Sequence, residues 1–154
     1  MSNIVVQKFG GTSLADTDRF KAVAKIIKDT SKKGKKVVAV VSAMAGETQR
    51  LIDLAKKVQE TPDPREYDAL ISSGEQVSVA LLAMTLRNEK VNSKSYTAFQ
   101  LGLRTDDYHG KARINSIDTK NILKDISADI TPVITGFQGV NEEGDITTLG
   151  RGGS

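Results

Sequence analysis

The sequence contains no cysteine. Disulfides, thiolate metal sites and a cysteine nucleophile are therefore excluded, and the cytoplasm is the expected compartment. It contains one histidine, His109, so no pair of histidines can hold a metal. Within Asp106-Asp107-Tyr108-His109-Gly110 that residue reads as part of a turn rather than as a catalyst. No run approaches the roughly 18 consecutive apolar residues that span a bilayer, so no membrane partner is expected. The first residues carry neither the basic segment nor the long apolar segment of a secretory signal. Serine-hydrolase arrangements, zinc spacings and the dinucleotide-binding glycine fingerprint are also missing, and no metal site is expected among the side chains. The formal charge is only +3. The densest basic run, Lys32-Lys33-Gly34-Lys35-Lys36, lacks the interleaved aromatics of a nucleic-acid platform. It reads as a solvated turn after a helix, where cations suit the helix's negative pole.

The 154 residues, 38% hydrophobic and 27% charged, have the balance of one globular domain or one piece of a domain. Ile4-Val5-Val6-Gln7-Lys8-Phe9 is a mostly apolar run closed by Gly10-Gly11, which predicts a strand and a turn. Thr12, Ser13 or Asp16 can cap the next helix, whose Phe20, Val23, Ala24 and Ile27 recur at helical spacing. Gly34 ends that helix. Val37-Val38-Ala39-Val40-Val41 is continuously apolar, as in a parallel strand covered on both faces. A helix with Leu51, Ile52, Leu54, Ala55 and Val58 follows. After Pro62 and Pro64 comes a helical region over about 65–88, interrupted at Ser72-Ser73-Gly74. A further helix is predicted over 119–126, and Thr131-Pro132-Val133-Ile134-Thr135 is a strand ending at Gly136. The alternation predicts an α/β sheet with helices on both faces. Thr147-Thr148-Leu149-Gly150-Arg151-Gly152-Gly153-Ser154 reads as a strand end meeting a glycine loop that normally introduces a helix. The sheet is therefore expected to be incomplete at its C-terminal end and to expose apolar surface.

Several segments could carry chemistry. In Lys8-Phe9-Gly10-Gly11-Thr12-Ser13 a cation precedes two glycines and two hydroxyls. Backbone amides and the lysine could cradle phosphate there, or the segment could be a plain strand-to-helix turn. Ser42-Ala43-Met44-Ala45-Gly46, with Thr48 beyond it, would open on the same side of a parallel sheet, where α/β folds hold ligands. Ser42 or Thr48 could equally be ordinary helix caps. Ser73-Gly74-Glu75-Gln76 fits a capping box with Ser73 as N-cap, or a site in which Glu75 accepts hydrogen bonds from a substrate ammonium. Arg151 within Gly150-Arg151-Gly152-Gly153-Ser154 suits a carboxylate, or belongs to a flexible terminus.

Taken in order, Lys8-Phe9-Gly10-Gly11-Thr12-Ser13, Val41-Ser42-Ala43-Met44, Ser73-Gly74-Glu75, Gly136-Phe137-Gln138-Gly139-Val140-Asn141 and the segment from Thr147 to Ser154 resemble the aspartate kinases of the amino acid kinase family. The resemblance covers nearly the whole chain. It implies a three-layer α/β/α sandwich with a mainly parallel open sheet. Residues 1–154 would form the N-terminal part that handles acceptor substrate and phosphate, without the nucleotide lobe and the regulatory ACT domains. The implied reaction phosphorylates the side-chain carboxylate of L-aspartate from ATP with Mg²⁺, giving 4-phospho-L-aspartate for lysine, threonine and methionine synthesis. Lys8 would be the catalytic lysine, with Phe9, Gly10, Gly11, Ser42 and Ser154 around the phosphates. Thr48, Glu75, Arg151, Gly152, Gly153 and Ser154 would hold aspartate, Glu75 at its ammonium. The full-length enzyme would be a homo-oligomer. The acidic residue expected after Ser154 does not follow, so the isolated segment is expected to show little or no activity. The alternatives are an inactive or partial aspartate-binding module, and a relative acting on a different carboxylate.

Overall fold

The computed structural model describes residues 3–150. Strand β1 (Ile4–Phe9) leads through a 3₁₀ turn (Gly11–Leu14) into α1 (Thr17–Lys32), then β2 (Lys36–Val41) and α2 (Glu47–Val58). Two helices follow, α3 (Pro64–Ile71) and α4 (Ser73–Asn88). Beyond them lie β3 (Ser93–Tyr96), α5 (Ala98–Leu101), β4 (Leu103–Thr105), β5 (Ile114–Ile117) and α6 (Lys120–Ser127). Strands β6 (Thr131–Thr135), β7 (Gln138–Val140) and β8 (Ile146–Thr148) complete the described chain.

The first sheet has the order β1-β2-β6-β3 and is parallel throughout. Its β2 is covered on both faces, as an unbroken β-branched run requires. Val37, Ala39 and Val41 pack with Phe20, Val23 and Ile27 of α1 and Leu82 and Leu86 of α4. On the opposite face Val38 packs with Ile122 and Ile126 of α6 and Leu101 of α5. These are the layers of an α/β/α sandwich. A second sheet, β5-β4-β7-β8, lies beside the first and mixes parallel and antiparallel pairs. The sequence reading identified only its last strand. Segments such as Leu103-Arg104-Thr105 and Ile114-Asn115-Ser116-Ile117 are too short and polar to announce themselves as strands.

Local signals resolve as follows. Asp16 caps α1, accepting the Arg19 N–H at 2.9 Å. Neither Ser42 nor Thr48 caps α2, whose N-cap is Gly46. Of the two readings of Ser73-Gly74-Glu75-Gln76, the capping box at Ser73 does not form. Ser72 keeps right-handed helical dihedrals between α3 and α4, and the Ser73 hydroxyl donates back to the Leu70 carbonyl at 2.7 Å. The chain therefore passes from α3 to α4 with scarcely an interruption. Together they are long and apolar enough in composition to pass for a membrane span, yet half of that stretch is buried within the protein. An apolar groove of about 400 Å³ runs along the α6 face of the first sheet, and Ile4, Val6, Ile114, Ile117 and Leu123 among its lining are exposed.

Candidate acceptor site

Because the four strands of the first sheet are parallel, the segments after β1, β2 and β6 emerge at one edge. Register places Phe9 beside Val41 and Val41 beside Thr135. The Ser42 N–H donates to the Phe9 carbonyl at 3.1 Å, and the Gly136 N–H to the Val41 carbonyl at 2.8 Å. The loops after these strands are thus tied to one another before any ligand is considered. Gly11 runs against the β2 loop so closely that a Cβ there would lie 3.0 Å from the Ala43 carbonyl oxygen. The 3₁₀ turn beginning at Gly11 has no side-chain cap. Lys8 is exposed near this edge. Phe9 is different: its side chain belongs to the core shared with α1 and α4, so any part it takes in a phosphate site falls to its backbone.

Glu75 lies in the first turn of α4 and is only 2% exposed. Its Oε1 accepts the Ala43 N–H at 3.1 Å, which binds the helix to the β2 loop. Its Oε2 has no hydrogen-bond partner among the described residues. Burial disfavours the charged form and pushes the carboxyl up to about 7, against the opposing pull of the Ala43 amide. Gly74 permits the approach, since a Cβ there would stand 2.8 Å from the Ala43 Cβ and 3.4 Å from the Glu47 Cγ.

Glu75, Ser42 and Thr48 line one cavity of about 330 Å³, together with Tyr67, Phe137 and Thr148. The sequence reading had placed Thr48 and Glu75 at the amino acid and Ser42 at the phosphates, whereas here all three share one lining. Phe137 and Thr148 lay within quoted motifs without receiving roles, and Tyr67 was not singled out. Phe137 holds a positive φ of 65°, an uncommon conformation for a bulky residue that clusters at functional sites. Lys8, Gly10 and Gly11 are not in the lining; they belong to the neighbouring edge formed by the β1 loop. Arg151, Gly152, Gly153 and Ser154 lie outside the described residues.

His109, expected in a turn, has a second attachment. Its Nδ1 lies 2.9 Å from Oδ2 of Asp68 in α3, a carboxylate with no exposed surface. Sequence reasoning had no reason to single out Asp68, because one aspartate in an amphipathic helix looks like a solvated surface residue. Among the described residues no three acidic or histidine side chains gather as a metal site.

The site is therefore a cavity with an incompletely satisfied buried carboxylate, flanked by a glycine turn and an exposed lysine. A carboxylate so placed suits a cationic ligand group; the adjoining edge suits an anion. Comparisons with known proteins identify the family. Residues 3–154 match the amino acid kinase family. Over 151 residues the chain is 54% identical to an aspartate kinase of Stutzerimonas stutzeri (strain A1501), which takes in 98% of this chain and 37% of that protein. An aspartokinase of Geobacillus stearothermophilus is 48% identical over the same shares. The chain thus spans little more than a third of the length of these curated relatives. Among solved structures, Escherichia coli aspartokinase III in complex with lysine and aspartate superposes with a TM-score of 0.86 at 26% identity, covering 99% of this chain and 45% of that one. The same enzyme in complex with aspartate and ADP gives 0.84 at 26% identity, covering 97% and 44%.

Proposed function

This chain belongs to the amino acid kinase family, and on that footing we propose that it is the acceptor-binding and phosphate-handling part of an aspartate kinase. The whole enzyme would transfer the γ-phosphoryl group of ATP to the β-carboxylate of L-aspartate in the cytoplasm. It would act as a homo-oligomer, at the first step of lysine, threonine and methionine biosynthesis. The observation that carries the reading is Glu75, whose Oε2 is buried and, among the described residues, unpartnered beside a cavity of amino-acid size. The aspartate named with E. coli aspartokinase III supplies a ligand of the right chemistry.

The reaction sets an electrostatic problem. The acceptor carboxylate is already ionised at neutral pH, so little general-base work is needed, and two anions must be brought together. Glu75 takes the α-ammonium of L-aspartate on Oε2 while the Ala43 amide holds Oε1. Thr48 and Ser42 offer hydroxyls within the same cavity. Lys8 supplies a compact positive charge, and Gly10 and Gly11 supply backbone that can approach an anion closely. Arg151 pairs with a substrate carboxylate, with Gly152, Gly153 and Ser154 around it. ATP, carrying Mg²⁺ through its own phosphates, provides the phosphoryl group when bound. A kinase of N-acylated amino acids is disfavoured, because an acylated amine has no charge to offer Glu75.

Calorimetric titration at pH 8 tests this reading. L-Aspartate is expected to bind, N-acetyl-L-aspartate and N-acetyl-L-glutamate are not, and Glu75→Gln is expected to weaken L-aspartate binding by at least about tenfold. Equal binding of the free and acetylated amino acids would overturn it.

A further inference from the structure

We propose that Asp68 is a positioning residue for the acceptor cavity, pinning two of its lining residues, Gly110 and Thr148, to α3. The cavity's role as an acceptor site rests on the reading above; the pin itself is a matter of hydrogen bonds. Oδ2 of Asp68 lies 2.9 Å from His109 Nδ1 and accepts the Gly110 N–H at 3.0 Å and the Thr148 N–H at 2.9 Å. Oδ1 accepts the Thr148 hydroxyl at 2.6 Å. A fully buried carboxylate is costly unless such donors satisfy it.

These donors come from two places far along the chain, the β4–β5 loop and β8. Asp68 is not itself in the cavity lining, but Tyr67 and Ile71 on its own helix are, as are Gly110 and Thr148. One side chain therefore ties three parts of the lining together. The loop closes on itself at its base, where the Asp106 N–H meets the Arg113 carbonyl at 3.1 Å and Asp106 Oδ1 accepts the Arg113 N–H at 3.0 Å. Ala112 donates to the Thr148 carbonyl at 3.0 Å. At the tip, among the described residues, the hydrogen bonds from His109 and Gly110 to another element all end on Asp68. His109 thus helps aim Gly110 into the wall rather than acting on substrate.

The chemistry of the pin separates two substitutions. In Asp68→Asn the amide oxygen can take the three N–H donors, and the amide nitrogen faces Thr148 Oγ1, which can turn to accept. Charge is lost and the pin remains. In Asp68→Ala both are lost. Hydrogen exchange read by NMR on the whole chain, with Val38 and Ile134 amides as references, measures the pin without any ligand. Asp68→Ala is expected to speed exchange at Gly110 and Thr148 by about tenfold or more, with Asp68→Asn within about threefold of wild type. The L-aspartate Kd should rise in parallel, about tenfold in Asp68→Ala and within about threefold in Asp68→Asn. Unchanged protection of both amides in Asp68→Ala, or equal loss in Asp68→Asn, would overturn the pin. If wild type binds no L-aspartate while exchange changes as described, the acceptor reading falls and the pin stands. If Asp68→Ala binds like wild type with both amides protected, the reverse holds. Should Asp68→Ala lose its reference amides, Asp68→Leu, which fills the same space but accepts no hydrogen bond, decides: faster exchange at Gly110 and Thr148 supports the pin, and no change at both overturns it.

Discussion

Glu75 concentrates the account at the scale of a single residue. Its carboxyl is raised from an ordinary 4.5 to about 7 by burial, so the folded protein holds that proton more tightly than the unfolded chain does. Folding is therefore unpenalised below about pH 4.5, loses stability as pH rises through about 7, and bears the full cost of the buried charge above that. The cost is on the order of 3 kcal/mol. Glu75→Gln keeps an oxygen for the Ala43 amide and removes the charge. It should raise the free energy of unfolding by about 1–3 kcal/mol at pH 8 and change it little at pH 4, as urea denaturation at the two pH values would show. Equal effects at both would mean that Glu75 is not held against its charge. Lys8 makes the opposite kind of contribution: exposed and outside the cavity lining, it can be replaced by alanine with the L-aspartate Kd kept within about twofold in calorimetry. A tenfold loss would place Lys8 on the acceptor rather than on the phosphate side.

At the scale of elements, the join between α4 and the β2 loop has no slack. Gly74→Ala should destabilise the fold by about 1–3 kcal/mol by forcing α4 away from Ala43. It should also carry Glu75 from its amide partner, seen as a further rise in the Glu75 pKa, because the Ala43 amide opposes the effect of burial. Loss of stability without that rise would separate packing from site geometry. Asp16→Ala removes the α1 cap and should cost about 1 kcal/mol in denaturant unfolding without touching the cavity. These elements also show what the sequence could and could not disclose. The apolar run of β2 and the helical spacing of Phe20, Val23, Ala24 and Ile27 announced themselves because burial repeats with the backbone period. The capping box at Ser73 matched its pattern yet failed, since α3 runs on through Ser72 and leaves no non-helical residue for Ser73 to cap. Strands β4, β5 and β7, of three, four and three residues, depend on pairing with one another. Nothing local distinguishes them from loop. Glu75 was visible through its motif, whereas Asp68 becomes legible only when His109 and Thr148, 41 and 80 residues away, arrive beside it.

Across the whole molecule, stability is unevenly spread. The central strands β2 and β6 are paired on both sides and buried between helical layers, while every residue of β5 is exposed at the edge of the second sheet. Native-state hydrogen exchange should find its slowest amides in β2 and β6 and exchange in β5 faster by at least about a hundredfold. Comparable protection in β5 would indicate a covering that these contacts do not provide. The cavity lies between the two regimes: Glu75 is anchored against the β2 loop of the rigid sheet, and Thr148 and Gly110 come from β8 and the β4–β5 loop. The rigid carboxylate there faces a wall held by a few hydrogen bonds.

As proposed, Glu75 stands buried and, among the described residues, partly unsatisfied, ready for the ammonium group of L-aspartate. Carbon-13 NMR of the Glu75 side-chain carboxyl, titrated with and without saturating L-aspartate, measures this at the atom concerned. A midpoint near 7 is expected in the free protein, with a clear fall when L-aspartate is bound, because a neighbouring positive charge favours the carboxylate. A free-protein midpoint near 4.5, or one unmoved by bound L-aspartate, would contradict it.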